Sequence, residues 1–337
     1  MVKEKKLLVQ IPAKNEAQNI QDVISSIPRE MPGISSVSVV VIDDDSTDGT
    51  RELALEAGAD FVIWKKAHFG LANSFNLGSA FFLTQGYDIL VNTDGDNQYN
   101  QERIPELIKP LIEEEAELSI GDRDVRNLSH FSMPKKFFQR FGSRVLSSVS
   151  GVRITDAASG FRAYSRDLVA RLNVTTKFSY AMETLIQAAH ADARIVSVVS
   201  GAKQVQRPSR LFKSSFEHVR KSSQAILRGL VTHRPLATFL TLASFLGLAG
   251  LIPFLRFLIL TLSSQPGDHI QSLILGVILL SGAFTSISLA ILSDLIRSQR
   301  LVNEHKIALE RLQWDEKHSI GILDYYRASL VSRSNKI

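Results

Sequence analysis

The chain has 337 residues, 45% of them hydrophobic and 22% charged, which supplies ample core and an ordinary charge density for one or two folded domains. It contains no cysteine, so disulfides, thiolate metal sites and a cysteine nucleophile are excluded. A net charge of +5 and a pI near 9.3 point to an anionic partner, either nucleic acid or a membrane surface, and the placement of the charge decides between them.

From the N-terminus, Leu7 to Ile11 reads as a strand; the run is too short for a signal peptide and places the start of the chain in the cytoplasm. Pro12-Ala-Lys-Asn-Glu16 follows, and Ile20, Val23, Ile24 and Ile27 then recur at helical spacing until Pro28. Val37 to Ile42 is a second buried strand, ending in Asp43-Asp44-Asp45-Ser46-Thr47-Asp48-Gly49-Thr50. Ser46 or Thr47 can cap a helix over Thr50 to Ala57, and capping also accounts for Asp48. Asp43 needs another explanation, since a strand-end carboxylate can accept from a base N–H or a ribose hydroxyl.

Phe61 to Ile63 is a third strand and Leu71 to Phe82 a helix, after which Asp88 to Val91 runs into Asp94-Gly95-Asp96. Carboxyl ends of parallel strands open into the ligand crevice, and hard carboxylate oxygens there suit Mg²⁺ or Mn²⁺ shared with substrate phosphates. Asp-Gly is also ordinary turn chemistry, so this stretch alone leaves both readings open. The alternation of strand and helix predicts a doubly wound, mostly parallel α/β sheet. Neither a GxGxxG fingerprint nor a GxxxxGK[ST] loop occurs, which argues against a dinucleotide oxidoreductase and a P-loop enzyme.

Ile11 to Glu16, then Val41 to Thr50, then Asp94-Gly-Asp-Asn-Gln98 resemble, in that order, the motifs of glycosyltransferase family 2. The resemblance implies a GT-A fold, with Pro12, Lys14, Glu16, Asp43 and Gly95 on the nucleotide-sugar side. It implies Asp94, Asp96 and Gln98 as ligands of Mg²⁺ or Mn²⁺ on the diphosphate. Asp45 stands where the family usually has a small residue, and its bulk would crowd the nucleoside pocket.

Leu118 to Gly121 reads as a strand followed by Asp122-Arg123-Asp124, and Arg123 at its end can neutralise diphosphate charge. Met133 to Val149 mixes Lys and Arg with apolar residues; it is either a membrane-surface helix or a helix packed on the domain. Thr155 to Arg166 resembles the acceptor-side loop of the polyprenyl-phosphate branch of the family, and so does Arg207-Pro-Ser-Arg210-Leu211, where the branch usually has Ser-Lys-Leu. The resemblance implies that Asp156 positions sugar or acceptor and that Arg207 and Arg210 meet the acceptor phosphate. Glu183 is read as a helix N-terminal acid ahead of an orienting role. His68, His130, His190 and His218 show no metal-ligand spacing, and the sequons at Asn127 and Asn173 are read as chance.

Residues 236–262 and 270–293 form two apolar stretches long enough for the roughly 20 residues that cross a bilayer. Lys and Arg flank the pair on both sides, while the loop between them has neither, so both flanks and both termini are expected in the cytoplasm. Arg256 can snorkel to the outer face. The charge therefore lies beside the spans, which makes nucleic acid the weakest reading of it, and no nucleic-acid partner is expected.

These readings predict a catalytic domain over 1–212, a juxtamembrane segment over 213–235, two spans over 236–294 and a helical cytoplasmic tail over 295–337. The expected activity is that of a metal-dependent, inverting, membrane-anchored hexosyltransferase, similar to dolichol-phosphate mannose synthases, with a UDP- or GDP-sugar donor and a polyprenyl-phosphate acceptor. Alternatives are a glycan or protein acceptor and a non-catalytic nucleotide-sugar-binding adaptor; homo-oligomerisation is left open. A processive polysaccharide synthase is disfavoured, because Gln206-Arg-Pro-Ser-Arg210 is followed by Leu211 and not Trp.

Overall fold

A computed structural model describes residues 4–65, 68, 70–123, 156–157, 159–174, 180–201, 203, 231, 235–263, 270–326 and 328–333. The expected helix over 133–149, Arg207, Arg210, nearly all of the juxtamembrane segment and the loop over 264–269 lie outside them.

The chain divides into two compact units, Met1–Ser222 with His305–Ile337, and Ser223–Glu304. In the first, strands β1 (Lys5–Ala13), β2 (Ile34–Asp43), β3 (Phe61–Trp64), β4 (Ile89–Asn92), β5 (Leu118–Asp122), β6 (Arg162–Ser165), β7 (Ile195–Val199) and β8 (Ser329–Ser332) form one sheet in the order β7-β5-β6-β4-β1-β2-β3-β8. β6 and β8 pair antiparallel with their neighbours and every other pairing is parallel. The parallel strands therefore share one carboxyl edge, and Arg162 begins β6 at that same edge, opposite Asn92 at the end of β4.

Period-two alternation divides the strand residues between two cores. Leu8, Val40, Ile42, Ile63 and Leu90 face one way, and helix α3 (Leu71–Thr84) covers them with Phe75 and Phe82. Leu7, Val9, Val39, Val41 and Val91 face the other, under helices α1 (Ile20–Ser25), α2 (Thr50–Glu56) and α4 (Ile104–Ile112). Both faces being covered is why these strands read as continuous apolar runs. The sequence-predicted strands and helices as far as Gly121 are all present, with ends shifted by a few residues. β6, β7 and β8 are additions that the sequence reading did not anticipate.

The tail corrects the expectation more strongly. A helix that runs over Ile270–Leu312 ends inside the first unit, where Ala308 is buried in the core and the Arg311 guanidinium donates to Leu172 O at 2.6 Å. The next helix, Glu316–Tyr326, packs on α3, and its Ser319 hydroxyl donates to the buried Thr84 hydroxyl at 2.8 Å. β8 then pairs with β3 from Trp64↔Ser329 to Phe61↔Ser332. The tail is thus part of the sheet domain, because its apolar residues and edge strand complete a surface that β3 leaves unpaired.

In the second unit, Pro235–Leu262 and the first part of Ile270–Leu312 are each long and apolar enough to cross a membrane. They touch where a Cβ on Gly276 would lie 3.0 Å from Phe254 Cβ and 3.2 Å from Gly250 O. Small residues at a crossing let two apolar helices pack backbone to backbone. Their remaining faces are apolar and exposed, Phe284 to 72%. The Arg256 guanidinium donates to the Ser272 hydroxyl across the hairpin at 3.3 Å.

Candidate active site

The loops on the carboxyl edge are tied to one another before any ligand is considered. The Asn15 N–H donates to the Ser46 hydroxyl and Asn15 Oδ1 accepts from the Thr47 N–H, both at 2.9 Å. The Glu16 N–H donates to the Thr50 hydroxyl and the Ala17 N–H to Asp48 Oδ2. Ser46 and Thr47 therefore lock the first loop to the second and do not cap α2, which starts from Gly49 at φ +83° with no side-chain cap. Asp48, one residue ahead of that cap position, accepts from the Thr50 N–H. Asp45 sits at φ +63°, a left-handed position that favours glycine and that Asp tolerates, which gives a backbone reason for a small residue there.

Asp43 is fully buried at the end of β2, 2.8 Å from Arg51 Nε. Burial pushes its carboxyl above the ordinary range, against the opposing effects of Ser46 and Arg51. The Arg51 guanidinium in turn lies 4.7 Å from the Trp64 ring centroid. The expected nucleoside-side carboxylate is thus already engaged by its own domain. His68, which shows no metal-ligand spacing in the sequence, has Nδ1 2.6 Å from Asp44 Oδ2.

The Asp94-Gly95-Asp96 turn abuts the first loop. A Cβ at Gly95 would lie 3.2 Å from Glu16 Cγ and 3.5 Å from Pro12 O, so the two motifs meet only because residue 95 has no side chain. Asp94 Oδ2 accepts from Gln98 Nε2 at 2.9 Å, and Asp96 Oδ1 accepts from the Gln98 N–H at 3.2 Å. Gln98 was expected to offer an oxygen to a metal. Here its amide nitrogen donates to Asp94. Desolvation first, and repulsion from Asp96 second, push the Asp94 carboxyl up to about 7.

Beyond Asp94 lies the loop that enters β6. Asp156 is fully buried and is gripped by Arg123, with Nε to Oδ2 at 2.7 Å and Nη2 to Oδ1 at 3.0 Å. Burial disfavours the Arg123 charge, but Asp156 more than restores it and the pKa is raised. Arg162, also fully buried, donates to the carbonyls of Ala157, Ser159 and Ala181, which fastens this loop to the helix Tyr180–His190. On the other side, the Lys203 N–H donates to Gln98 O and its Nζ to Asn97 Oδ1. Pro12, Lys14, Glu16, Asp43, Asp94, Gly95, Asp96, Gln98, Arg123 and Asp156 thus all lie at or beside one edge of one sheet.

Residues 8–172 match the sequence model of Glycosyl transferase family 2, which spans all of these residues. The chain carries a glycosyltransferase family 2 domain. Among similar proteins, the undecaprenyl-phosphate mannosyltransferase of Micrococcus luteus is 27% identical over 57% of this chain and 82% of its own length. The dolichol-phosphate mannosyltransferase of Pyrococcus furiosus is 28% identical over 64% of this chain, which spans only 62% of that relative. The glycosyltransferase AglJ of Haloferax volcanii is 27% identical over 90% of this chain and 96% of its own. Among solved structures, the glucosyl-3-phosphoglycerate synthase of Mycobacterium tuberculosis, in complex with Mn²⁺, UDP and glucosyl-3-phosphoglycerate, superposes with a TM-score of 0.53. That match covers 68% of this glycosyltransferase and 80% of the other chain at 22% identity, and bears out the GT-A-like fold.

The sequence reading of this glycosyltransferase missed Tyr99, Gly160 and Tyr180 as neighbours of Asp94. A Cβ on Gly160 would lie 2.9 Å from Asp94 Oδ2 and 2.8 Å from the Tyr180 hydroxyl. The only sequence signal was a buried-type aromatic just after the Asp-Gly-Asp turn.

Proposed function

We propose that this glycosyltransferase moves a hexose, with inversion, from a UDP- or GDP-sugar to the phosphate of a polyprenyl phosphate at the cytoplasmic face of a membrane. The observation that carries the proposal is the charged Arg123–Asp156 fork beside Asp94, in a chain that also holds two helices long enough to span a bilayer. The names of the Micrococcus and Pyrococcus relatives, which specify undecaprenyl-phosphate and dolichol-phosphate mannosyl transfer, support the acceptor class.

The residues present fit a divalent cation. Asp94 and Asp96 are hard oxygen donors separated by one residue on the same turn; burial first and their mutual repulsion second push Asp94 up, and a cation between them offsets both. Two carboxylates with substrate phosphates completing the shell is the habit of Mg²⁺ and Mn²⁺, and the Mycobacterium synthase of like fold was crystallised with Mn²⁺ and UDP. A cation held there would supply electrostatic stabilisation of the departing nucleoside diphosphate.

The chain's own groups do the rest. Arg123 is held charged and oriented by Asp156, and the fork uses only part of its N–H set, leaving donors for diphosphate oxygens. Pro12, Lys14, Glu16 and Asp43 border the nucleoside side. Arg207 and Arg210, further along the chain than Lys203, are assigned to the acceptor phosphate, which planar guanidinium groups bind bidentately. That phosphate is anionic at neutral pH, so a strong general base is unnecessary and Asp156 serves to position Arg123. The Lys/Arg asymmetry assigns both flanks of the spans to the cytoplasmic side.

Membranes containing the protein, incubated with radiolabelled UDP- and GDP-sugars, should transfer label into the organic phase only when polyprenyl phosphate is present. If no lipid phosphate supports transfer with any donor, the acceptor assignment fails and a glycan or protein acceptor replaces it.

A further inference from the structure

The polar groups behind Asp94 form one connected ladder. Gln10 on β1 donates from Nε2 to Asn92 Oδ1 at 2.9 Å, and Asn92 Nδ2 donates to Gly160 O at 3.0 Å and to the Tyr180 hydroxyl at 2.6 Å. The Tyr180 hydroxyl donates in turn to Gly160 O at 3.2 Å. The opposite end of the same glycine is also held, because its N–H donates to the Tyr99 hydroxyl at 2.7 Å. Gly160 in turn abuts Asp94, since a Cβ on it would lie 2.9 Å from Asp94 Oδ2, so the Tyr99 hydroxyl fixes the acceptor-side loop directly against the Asp-Gly-Asp carboxylate.

Packing alone does not require this hydroxyl. The Tyr99 ring stacks on Phe161 with centroids 5.4 Å apart, and phenylalanine would fill the same space. What the oxygen adds is a fixed distance between two loops that pack closely here: Gly160 leaves no room even for a methyl group beside Asp94. Groups that hold a metal-binding carboxylate from behind set its direction, and their loss typically costs about 10–100-fold in metal affinity or activity.

We propose that Tyr99 is a positioning residue, holding the Asp94 carboxylate in register with the Asp156–Phe161 loop so that the donor and acceptor sides of the site keep one geometry. The proposal rests on the metal-dependent transfer described above, and its test separates the two.

Tyr99→Phe retains the ring. In the full-length protein in detergent it should lower kcat by about 10–100-fold, leave the donor KM within about twofold, and weaken Mn²⁺ binding in the presence of UDP or GDP by a similar factor. Mn²⁺ binding is read by water-proton relaxation, without turnover. A Tyr99→Phe protein that melts normally, binds Mn²⁺ like wild type and keeps its kcat overturns the proposal, as does one in which only the melting temperature falls. Should that variant not fold, Gly160→Ala decides: it keeps both tyrosines but pushes on Asp94, and unchanged Mn²⁺ affinity there overturns the proposal while a weakened affinity supports it. A wild type that neither binds Mn²⁺ with a nucleotide nor transfers label overturns the function itself; an active wild type beside an unchanged variant overturns only the role of Tyr99.

Discussion

Arg123 and Asp156, 33 residues apart in sequence, form a two-point fork in which neither charge reaches solvent freely. A buried pair of this kind is costly to break from one side, because the remaining charge is left desolvated. It also converts a flexible arginine into a fixed donor array at the carboxyl edge of the sheet.

The fork should therefore act as a unit. Arg123→Lys and Asp156→Asn are each expected to lower kcat/KM, and the double variant should lose less than the product of the two. A double-mutant cycle is expected to give a coupling of about 0.5–3 kcal/mol, the range for residues in contact. Strict additivity would mean that the two side chains serve the reaction separately.

Asp94 links the site to pH. Its carboxyl lies at about 7 in the fold against an ordinary 3.8, so between those values the folded domain holds a proton that the unfolded chain has lost. Stability of the cation-free domain should then fall as pH rises from about 4 to about 7 and level off above it. Cation affinity should run the opposite way and strengthen up to about pH 7, since binding needs the ionised form. Asp94→Asn should flatten the stability profile and raise Tm at pH 8 by about 3 °C or more. It should also cut turnover at least about a hundredfold, the scale for losing a main electrostatic stabiliser. Melts in chelator at pH 5 and pH 8 test the first part; a variant with the wild-type slope would assign the titration elsewhere.

Topology can be read with single cysteines, since the chain has none of its own. Ser263 follows the first apolar helix and Lys317 lies in the exposed part of the tail. Ser263→Cys and Lys317→Cys should react with a membrane-impermeant maleimide from opposite sides of sealed vesicles. Reaction of both from the same side would rule out two spans.

The tail should behave as part of the glycosyltransferase domain. Arg311→Ala leaves the carbonyls of Leu172 and Ala170 without their donor, which is expected to cost about 1–3 kcal/mol. Chemical denaturation followed by Trp fluorescence measures it, and nucleotide binding below the melting transition should persist. An unchanged midpoint would show that the tail rests on the domain without stabilising it.

The sequence by itself determined the strand ends and the membrane-length helices. Runs such as Val39–Ile42 and Ile89–Val91 are apolar on both faces because both are covered, and that local pattern survives without knowledge of the neighbours. The acids that follow them, Asp43, Asp94 and Asp96, were legible because a carboxylate after a buried run has few structural excuses. Only the tertiary structure decided which groups these acids meet. Asp43 pairs with Arg51, Gln98 turns its amide nitrogen to Asp94, and Tyr99 reaches Gly160 across 61 positions, none of which leaves a periodic trace. The strand β6 escaped notice because Arg162 is buried there on carbonyl partners that come from other elements. β8 escaped because its Ser-Leu-Val-Ser sequence lacks the continuous apolar run that made the equally short β3 legible, and its pairing with β3 depends on an edge that forms only when the sheet does. Hydrophobic period is a property of one segment, whereas hydrogen-bond partners and strand neighbours belong to the assembled fold.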